Sequence, residues 1–255
     1  MKYPLKYRDD TEVVPPVIGH DPLEGRAPSR PRLGFWIAPI LYSIVLLFVA
    51  GCSPSPDRDP PALDTQPSSE TDDRSVILFL GDSLTAGYYL DPEDAFPALI
   101  QQKLDTHGYE YRAVNAGVSG DTSLDGLNRL DWVLRQEVSV LVLALGANDA
   151  LRGQPVERIR ENLDEIMSRT RERYADVRFV LGGMRMPVNY GEPYISDFEQ
   201  MFRGLADKHD AVLIPFLLEG VAGDPVLNLR DGIHPTEEGH AIMAETVWRY
   251  LERVL

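Results

Sequence analysis

Short apolar runs recur from residue 76 onward, most of them followed by glycine or polar residues. They are rich in Val, Ile, Leu and Phe and are too short for helices, which is typical of strands covered on both faces, as in a parallel sheet. The predicted strands are 76–80, 109–115, 138–145, 177–181 and 211–214.

Amphipathic segments with apolar residues three and four positions apart separate these strands and follow the last one. This spacing places the apolar side chains on one face of a helix. Strands that alternate with helices favour an α/β fold in which helices flank a five-stranded parallel sheet. We expect this domain to cover residues 74–255, with helices over 94–107, 124–134, 155–174, 196–209 and 236–253.

The first 73 residues differ in composition from the predicted domain. Residues 1–32 are polar and rich in proline, and we expect no packed structure there. Residues 33–49 are apolar and follow three arginines, the layout of a secretory signal, and they are short for a transmembrane helix of about 20 residues. Residues 53–73 mix proline, serine and acidic residues and predict a flexible tether, which spans at most about 70 Å.

The apolar segment closes with Val-Ala-Gly-Cys at 49–52, which resembles the lipobox of bacterial lipoproteins. The resemblance implies cleavage before Cys52 and a lipid on its thiol, and hence a membrane-attached protein of the cell envelope. Ser53 after the cysteine points to the periplasmic side of the outer membrane. The alternative is a retained membrane anchor in which Cys52 is incidental.

Charge and cysteine content exclude several classes of protein. The formal net charge of -15 argues against nucleic acid as a main partner, because such proteins need basic surfaces. One cysteine excludes an intrachain disulfide framework and a cysteine-rich zinc site. We expect no metal and no other cofactor.

The first predicted strand ends in Gly81-Asp82-Ser83. This places Asp82 and Ser83 at the carboxyl end of a parallel strand, where open α/β sheets bind their ligands. Either residue is a good helix cap. A serine here is also a candidate nucleophile, provided that a base, a group orienting the base and oxyanion donors lie nearby.

The base is found by elimination among five histidines. His20 precedes the presumed cleavage point, His107 and His209 end predicted helices, and His240 lies in the last helix as a solvated or partly packed group. His234 remains, three residues after Asp231, a carboxylate suited to orienting an imidazole. The alternative for this loop is a plain helix start, capped by Asp231 or Thr236.

Donors for an oxyanion are available after two other strands. Gly120 offers a backbone N–H at close approach, Asn148 offers a side-chain amide, and Ser83 adds its own N–H. Gly120 and Asn148 are equally plausible as ordinary turn residues.

Four blocks together resemble the GDSL, or SGNH, hydrolase family, and in particular its branch of acyl-CoA thioesterases that also act as lysophospholipases and arylesterases. The blocks are GDSL at 81–84, VSGDTS around Gly120, GAND around Asn148, and DGIHP at 231–235. The resemblance implies a flavodoxin-like three-layer α/β/α sandwich. It also implies Ser83 as nucleophile, His234 as general base and acid, Asp231 as its partner, and an oxyanion hole of Ser83, Gly120 and Asn148.

The expected reaction is therefore hydrolysis of carboxylic esters and thioesters through an acyl-enzyme on Ser83, with a small acyl compound as substrate. Two alternatives are a carbohydrate or peptidoglycan O-acetylesterase and a non-enzymatic lipid-binding lipoprotein. Apolar loop residues either border the acyl chain or pack in the core. The candidates for substrate binding are Leu84, Leu151, Met186, Pro187 and Tyr190.

Overall fold

The computed structural model describes residues 72–255, which form a five-stranded parallel sheet between two layers of helices. The predicted α/β sandwich is thereby confirmed. The predictions for residues 1–71, which include Cys52 and nearly all of the predicted tether, lie outside the described residues. Across residues 72–255, every helix is too short or too polar to cross a membrane.

The strands are β1 (Ser75–Gly81), β2 (Tyr111–Gly117), β3 (Val140–Ala144), β4 (Arg178–Gly182) and β5 (Val212–Ile214). The helices are α1 (Ser83–Ala86), α2 (Phe96–His107), α3 (Ser123–Asn128), α4 (Leu130–Val133), α5 (Ala147–Leu151), α6 (Val156–Arg173), α7 (Glu192–His209) and α8 (Glu237–Leu251). Two short 3-10 helices cover Val188–Tyr190 and Glu252–Val254.

The order of the strands across the sheet is β2-β1-β3-β4-β5. The chain therefore moves outward from β1 in both directions, and the carboxyl end of β1 lies at the point where the order reverses. Open α/β sheets bind ligands in the crevice at such a point. The register sets Gly81, the last residue of β1, opposite Gly117 of β2 and Ala144 of β3.

The core lies on both faces of the sheet. β1 and β3 are buried almost throughout, which explains their uninterrupted apolar sequences. On one side α2 packs against α8, and on the other α6 packs against α3 and α7. Aromatic rings fill the space under the helices, with Phe79 meeting Phe96 edge to face at 5.7 Å between ring centroids.

Three elements differ clearly from their predicted limits. α7 begins at Glu192, four residues before its predicted start at 196, with a proline at its amino end and no side-chain cap to mark the start. β2 begins and ends two residues later than expected, because it is an edge strand whose side chains are all at least partly exposed, so its sequence carries little burial pattern. The helix expected over 124–134 is divided at Arg129, whose backbone leaves the helical region. The Arg129 side chain reaches back instead to Asp121 and to the carbonyl oxygen of Gly81.

Candidate active site

Ser83 stands at the first position of α1, directly beyond the end of β1. Asp82 caps this helix, since its Oδ1 accepts a hydrogen bond from the backbone N–H of Leu84 at 3.0 Å. Capping by Asp82 leaves the hydroxyl of Ser83 free for another partner. The turn needs glycine at 81, because a Cβ there would lie 2.0 Å from Oγ1 of Thr85.

His234 is held by a tight loop before α8. Oδ1 of Asp231 accepts hydrogen bonds from the backbone N–H groups of Ile233 and His234, at 2.9 and 3.0 Å. The carbonyl oxygen of His234 accepts from the N–H of Leu229 at 2.7 Å. Of the two candidate caps, Asp231 and Thr236, only Thr236 caps α8, and its hydroxyl oxygen accepts a hydrogen bond from the N–H of Gly239. The loop is thus more than a helix start.

The structure brings Ser83, His234 and Asp231 into one line. Nε2 of His234 lies 3.0 Å from Oγ of Ser83, and Nδ1 lies 2.7 Å from Oδ2 of Asp231. The hydrogen bond from His234 holds the pKa of Asp231 down to about 2, so this carboxylate is ionised near neutral pH. An ionised carboxylate at Nδ1 fixes a tautomer whose Nε2 accepts the proton of the serine hydroxyl.

The two further oxyanion candidates lie in the segments that follow β2 and β3. Gly120 has a φ of +87°, a conformation that favours glycine, and its carbonyl oxygen accepts a hydrogen bond from the guanidinium of Arg152 at 3.0 Å. Nδ2 of Asn148 donates to the carbonyl oxygen of Asp121 at 3.0 Å and lies 3.4 Å from Oδ2 of Asp82. The second contact is long, and an oxyanion beside Ser83 would take its place.

A buried polar network fixes these two candidates relative to each other. Asp149, next to Asn148, accepts hydrogen bonds at 2.7 Å from both the backbone N–H and the hydroxyl of Ser123. The amide of Asn162 donates to the same hydroxyl at 2.9 Å. All three side chains are buried. The network ties the loop after β2 to the loop after β3.

The carboxyl group of Asp82, the residue before Ser83, is buried, and Asp82 is only 3% exposed. Burial raises its pKa to about 6, against the opposing effect of the hydrogen bond from the N–H of Leu84. Its Oδ2 lies 3.4 Å from Nδ2 of Asn148, a longer contact than the 3.0 Å hydrogen bond that this amide donates to the carbonyl oxygen of Asp121. Sequence analysis left the cap open between Asp82 and Ser83, of which Asp82 serves, and the approach of Asp82 to Asn148 was missed.

An apolar cavity of about 250 Å³ opens beside Ser83 and His234. Four of the five predicted substrate-binding residues line it, namely Leu84, Leu151, Met186 and Pro187. Tyr190 is not among the lining residues, and its hydroxyl donates to the carbonyl oxygen of Leu151 at 3.1 Å, so it supports the wall from behind. Lining residues that the sequence did not single out include Met184, Leu218 and Ile233.

Two aromatic residues beside the triad were missed. The ring of Tyr88 packs on that of His234 with 4.3 Å between centroids, and Tyr89 packs edge-on against Tyr88. No periodicity marks them, and their only signal was their position soon after the serine.

The expectation for His240 as a solvated or partly packed group was wrong. His240 is 1% exposed, and its Nδ1 accepts a hydrogen bond from the N–H of Phe96 at the start of α2. This helix has no side-chain cap of its own, and the histidine supplies the missing acceptor from the neighbouring helix α8, 144 positions away in sequence. Burial lowers the pKa of His240 to about 4.

A serine, a histidine and a carboxylate in line at the carboxyl end of a parallel sheet are typical of serine hydrolases. Residues 79–242 match the model of the GDSL-like lipase/acylhydrolase family. The chain is similar to esterase TesA of Pseudomonas aeruginosa, with 39% identity over 71% of this chain and 89% of the relative. It is also similar to thioesterase 1/protease 1/lysophospholipase L1 of Escherichia coli K12, with 34% identity over 85% of this chain and 92% of the relative.

A solved structure of TesA matches the fold with a TM-score of 0.68 and 37% identity, covering 71% of this chain and all of that one. The chain belongs to the GDSL-like lipase/acylhydrolase family. It is therefore an enzyme, a hydrolase of carboxylic esters, and the alternative of a non-enzymatic binding protein is not retained.

Proposed function

We propose that Ser83 is the nucleophile of a two-step acyl transfer in which His234 moves the proton and Asp231 orients His234. The observation that carries this proposal is the line of hydrogen bonds from Ser83 through His234 to Asp231, at 3.0 and 2.7 Å, at the edge of an apolar cavity. The geometry suits hydrolysis of esters and thioesters, in which the acyl chain enters the cavity.

In the first step Oγ of Ser83 attacks the carbonyl carbon while its proton passes to Nε2 of His234. The carbonyl oxygen takes up the negative charge and is bound by the N–H groups of Ser83 and Gly120 and the amide of Asn148. The tetrahedral intermediate then collapses. The bond to the alcohol or thiol leaving group breaks, and His234 returns its proton to that group.

In the second step a water molecule attacks the acyl-enzyme. His234 takes the proton of the water as it adds to the carbonyl carbon, and the same three donors bind the second oxyanion. Collapse releases the carboxylic acid, and Oγ of Ser83 recovers its proton from His234.

The walls of the cavity support an acyl group longer than acetyl. Leu84, Met184, Met186 and Leu218 are largely buried and present apolar surface to it. Its volume of about 250 Å³ is at the small end for ligand pockets, which suits short and medium acyl chains. The O-acetylesterase alternative would need a shorter acyl site and a polar groove for a saccharide.

A series of nitrophenyl esters from acetate to decanoate, measured on the wild type and on Ser83→Ala, tests both parts of this proposal. For the wild type, we expect a higher kcat/KM with the butyrate to octanoate esters than with the acetate ester. For Ser83→Ala, we expect no hydrolysis of any ester in the series. A strict preference for acetate would favour the O-acetylesterase, and activity retained by Ser83→Ala would contradict the assigned nucleophile.

We further propose that the enzyme is attached to the periplasmic side of the outer membrane by a lipid on Cys52. Support comes from the arginines, the apolar segment and the Val-Ala-Gly-Cys sequence that end at this residue. An enzyme held there meets lysophospholipids and other lipid esters. Mass spectrometry of the membrane fraction tests the attachment, and an uncleaved chain with an unmodified Cys52 would contradict it.

A further inference from the structure

Large hydrophobic side chains on the surface of the described domain are concentrated at one edge. Eight such side chains are exposed within residues 72–255, and seven of them lie in the segments that follow the carboxyl ends of the five strands. We call these seven the apolar rim: Tyr89, Val118, Leu124, Leu151, Val188, Val226 and Ile233. The eighth, Trp132, lies in α4 beside the edge strand β2.

Four of the seven members of the apolar rim lie at the active-site cavity or directly beside residues that form the site. Leu151 and Ile233 line the cavity themselves, and Val188 directly follows Pro187, which also lines it. Tyr89 adjoins Tyr88, the residue that packs on His234. Soluble proteins rarely gather exposed apolar side chains around one opening unless that surface binds something.

The most exposed members of the rim project furthest from the core. Val188 is 89% exposed, Tyr89 82% and Val226 72%. Tyr89 also has a φ of 65°, a left-handed conformation that is unfavourable for a bulky residue. The turn thus holds the ring of Tyr89 in solvent beside the active site. Both the left-handed backbone and the exposure of a largely apolar ring are unfavourable for this residue.

We propose that the apolar rim is a docking surface for a zwitterionic phospholipid bilayer, from which ester substrates enter the cavity. Val, Leu and Ile side chains insert among acyl chains, and Tyr89 suits the interface between headgroups and acyl chains. Charged side chains of both signs are exposed in the same loops. Arg152 and Arg185 are positive, and Asp91 and Asp224 are negative. Such a mixture matches headgroups that carry both a phosphate and a cation better than strongly anionic lipids.

The length of chain before the domain allows this orientation. The described chain enters at Asp72, just before the amino end of β1, at the edge of the sheet opposite the rim. Nineteen residues lie between Cys52 and Asp72, and the twenty steps along this chain reach at most about 70 Å. A domain of this size has a radius of gyration of about 16 Å, so a lipid on Cys52 would let the rim face the same membrane.

A fluorescent probe at position 188 tests the docking directly. The full chain carries Cys52→Ser together with either Val188→Cys or, as the matched control, Trp132→Cys, and each is labelled with an environment-sensitive nitrobenzoxadiazole. On phosphatidylcholine vesicles, we expect a blue shift and protection from iodide quenching for the label at 188 and neither for the label at 132. The N-terminal segment is the same in both proteins, so attachment to vesicles through this segment alone is common to both.

Equal responses at the two positions, or no response at 188, would overturn the proposal. So would a label at 188 that is already shielded without vesicles, because the rim would then be covered by the chain's own apolar segment or by a second copy. A response only on strongly anionic vesicles would overturn the assignment to a zwitterionic surface.

A kinetic experiment tests the delivery of substrate, which rests on the proposed function. In the double variant Val188→Ser with Val226→Ser, we expect about tenfold slower hydrolysis of an ester held in vesicles, since two apolar side chains no longer insert. The rate with dissolved nitrophenyl butyrate should stay within about twofold of the wild type, because neither residue lines the cavity. Equal rates of wild type and variant on vesicles would contradict the delivery role. A wild type inactive on both substrates would refute the proposed function instead, while the probe at 188 would still decide the docking.

Discussion

The two halves of the active site are supported in different ways. The triad half joins residues 151 positions apart in sequence, and its outer member, the Asp231 side chain, is 39% exposed. The half that holds the proposed oxyanion donors is backed by Ser123, Asp149 and Asn162, which are 0, 3 and 6% exposed. Substitutions in the first half should therefore reduce activity and leave folding intact, whereas substitutions behind the second half should reduce both.

The largest effect is expected from Ser83→Ala. Removing the hydroxyl removes the nucleophile, and we expect kcat to fall by about 10⁶-fold, the size found for subtilisin. The free energy of unfolding, measured in urea, should change by less than about 1 kcal/mol, because the substitution removes one oxygen at a helix start capped by Asp82. Retained turnover would place the nucleophile elsewhere.

The next largest effect is expected from Asp231→Asn. An amide at this position no longer fixes the tautomer of His234, and kcat should fall by about 10⁴-fold, as for the corresponding change in trypsin. Since the side chain is exposed, the urea midpoint should remain close to that of the wild type. A large loss of stability would show that the loop depends on this carboxylate for folding as well as for catalysis.

A smaller loss is expected from Asn148→Ala. Removing one oxyanion donor costs about 2.7 to 4 kcal/mol of transition-state stabilisation, or about 10² to 10³ in kcat. KM should change little, because the donor acts on charge that develops in the transition state. If KM rises while kcat is unchanged, Asn148 binds the ground-state substrate and the oxyanion assignment fails.

Asp149→Asn sharpens the comparison, because it leaves every proposed donor in place. Its amide cannot accept from both the N–H and the hydroxyl of Ser123, so we expect a loss of about 2 to 3 kcal/mol in the free energy of unfolding. We also expect kcat to fall about tenfold or more as the two oxyanion loops lose their fixed spacing. Asn162→Ala, one step further from the donors, serves as the control and should affect stability more than kcat.

The last effect concerns the pH dependence of stability and leaves the catalytic groups unchanged. His240 has a pKa of about 4 in the fold, and an unfolded histidine titrates near pH 6.5. Between these values the unfolded chain binds more protons, so stability falls as the pH falls from 6.5 to 4, by up to about 3 kcal/mol. His240→Gln keeps an acceptor for the N–H of Phe96 and should flatten this dependence in urea titrations at pH 7 and 4.5.

Asp82 opposes His240 over part of the same window. Its pKa of about 6 exceeds the usual value near 3.9, so the folded state binds more protons between pH 6 and 3.9 and gains stability as the pH falls. Asp82→Asn should therefore make the loss of stability on acidification steeper than in the wild type. The same slope in wild type, His240→Gln and Asp82→Asn would contradict both assignments.

Much of the fold could be predicted because burial leaves a mark on sequence. β1 and β3 are covered on both faces and read as unbroken apolar runs, so both were predicted without a shift and differ only in length. β2 is partly exposed along its whole length and was misplaced by two residues. The division of the helix at Arg129 depends on a long-range contact with Asp121, which no local pattern reveals.

The site was predicted where its residues belong to motifs. Ser83, Asp231 and His234 lie in short sequence blocks and come together as expected. Tyr88 and the buried His240 act through contacts between distant segments, and sequence spacing alone does not place a histidine of the last helix beneath the start of α2. Tyr190 contacts Leu151 and does not line the cavity, and sequence alone does not separate these two positions.

The central claim, that Ser83 is activated by His234, is tested most directly by covalent labelling. The wild type, Ser83→Ala and His234→Ala are incubated with a fluorophosphonate, and peptide masses are then measured. We expect one adduct, on the peptide that contains Ser83, no adduct in Ser83→Ala, and labelling at least about 10³-fold slower in His234→Ala. A folded wild type that stays unlabelled, or an adduct on another serine, would contradict it.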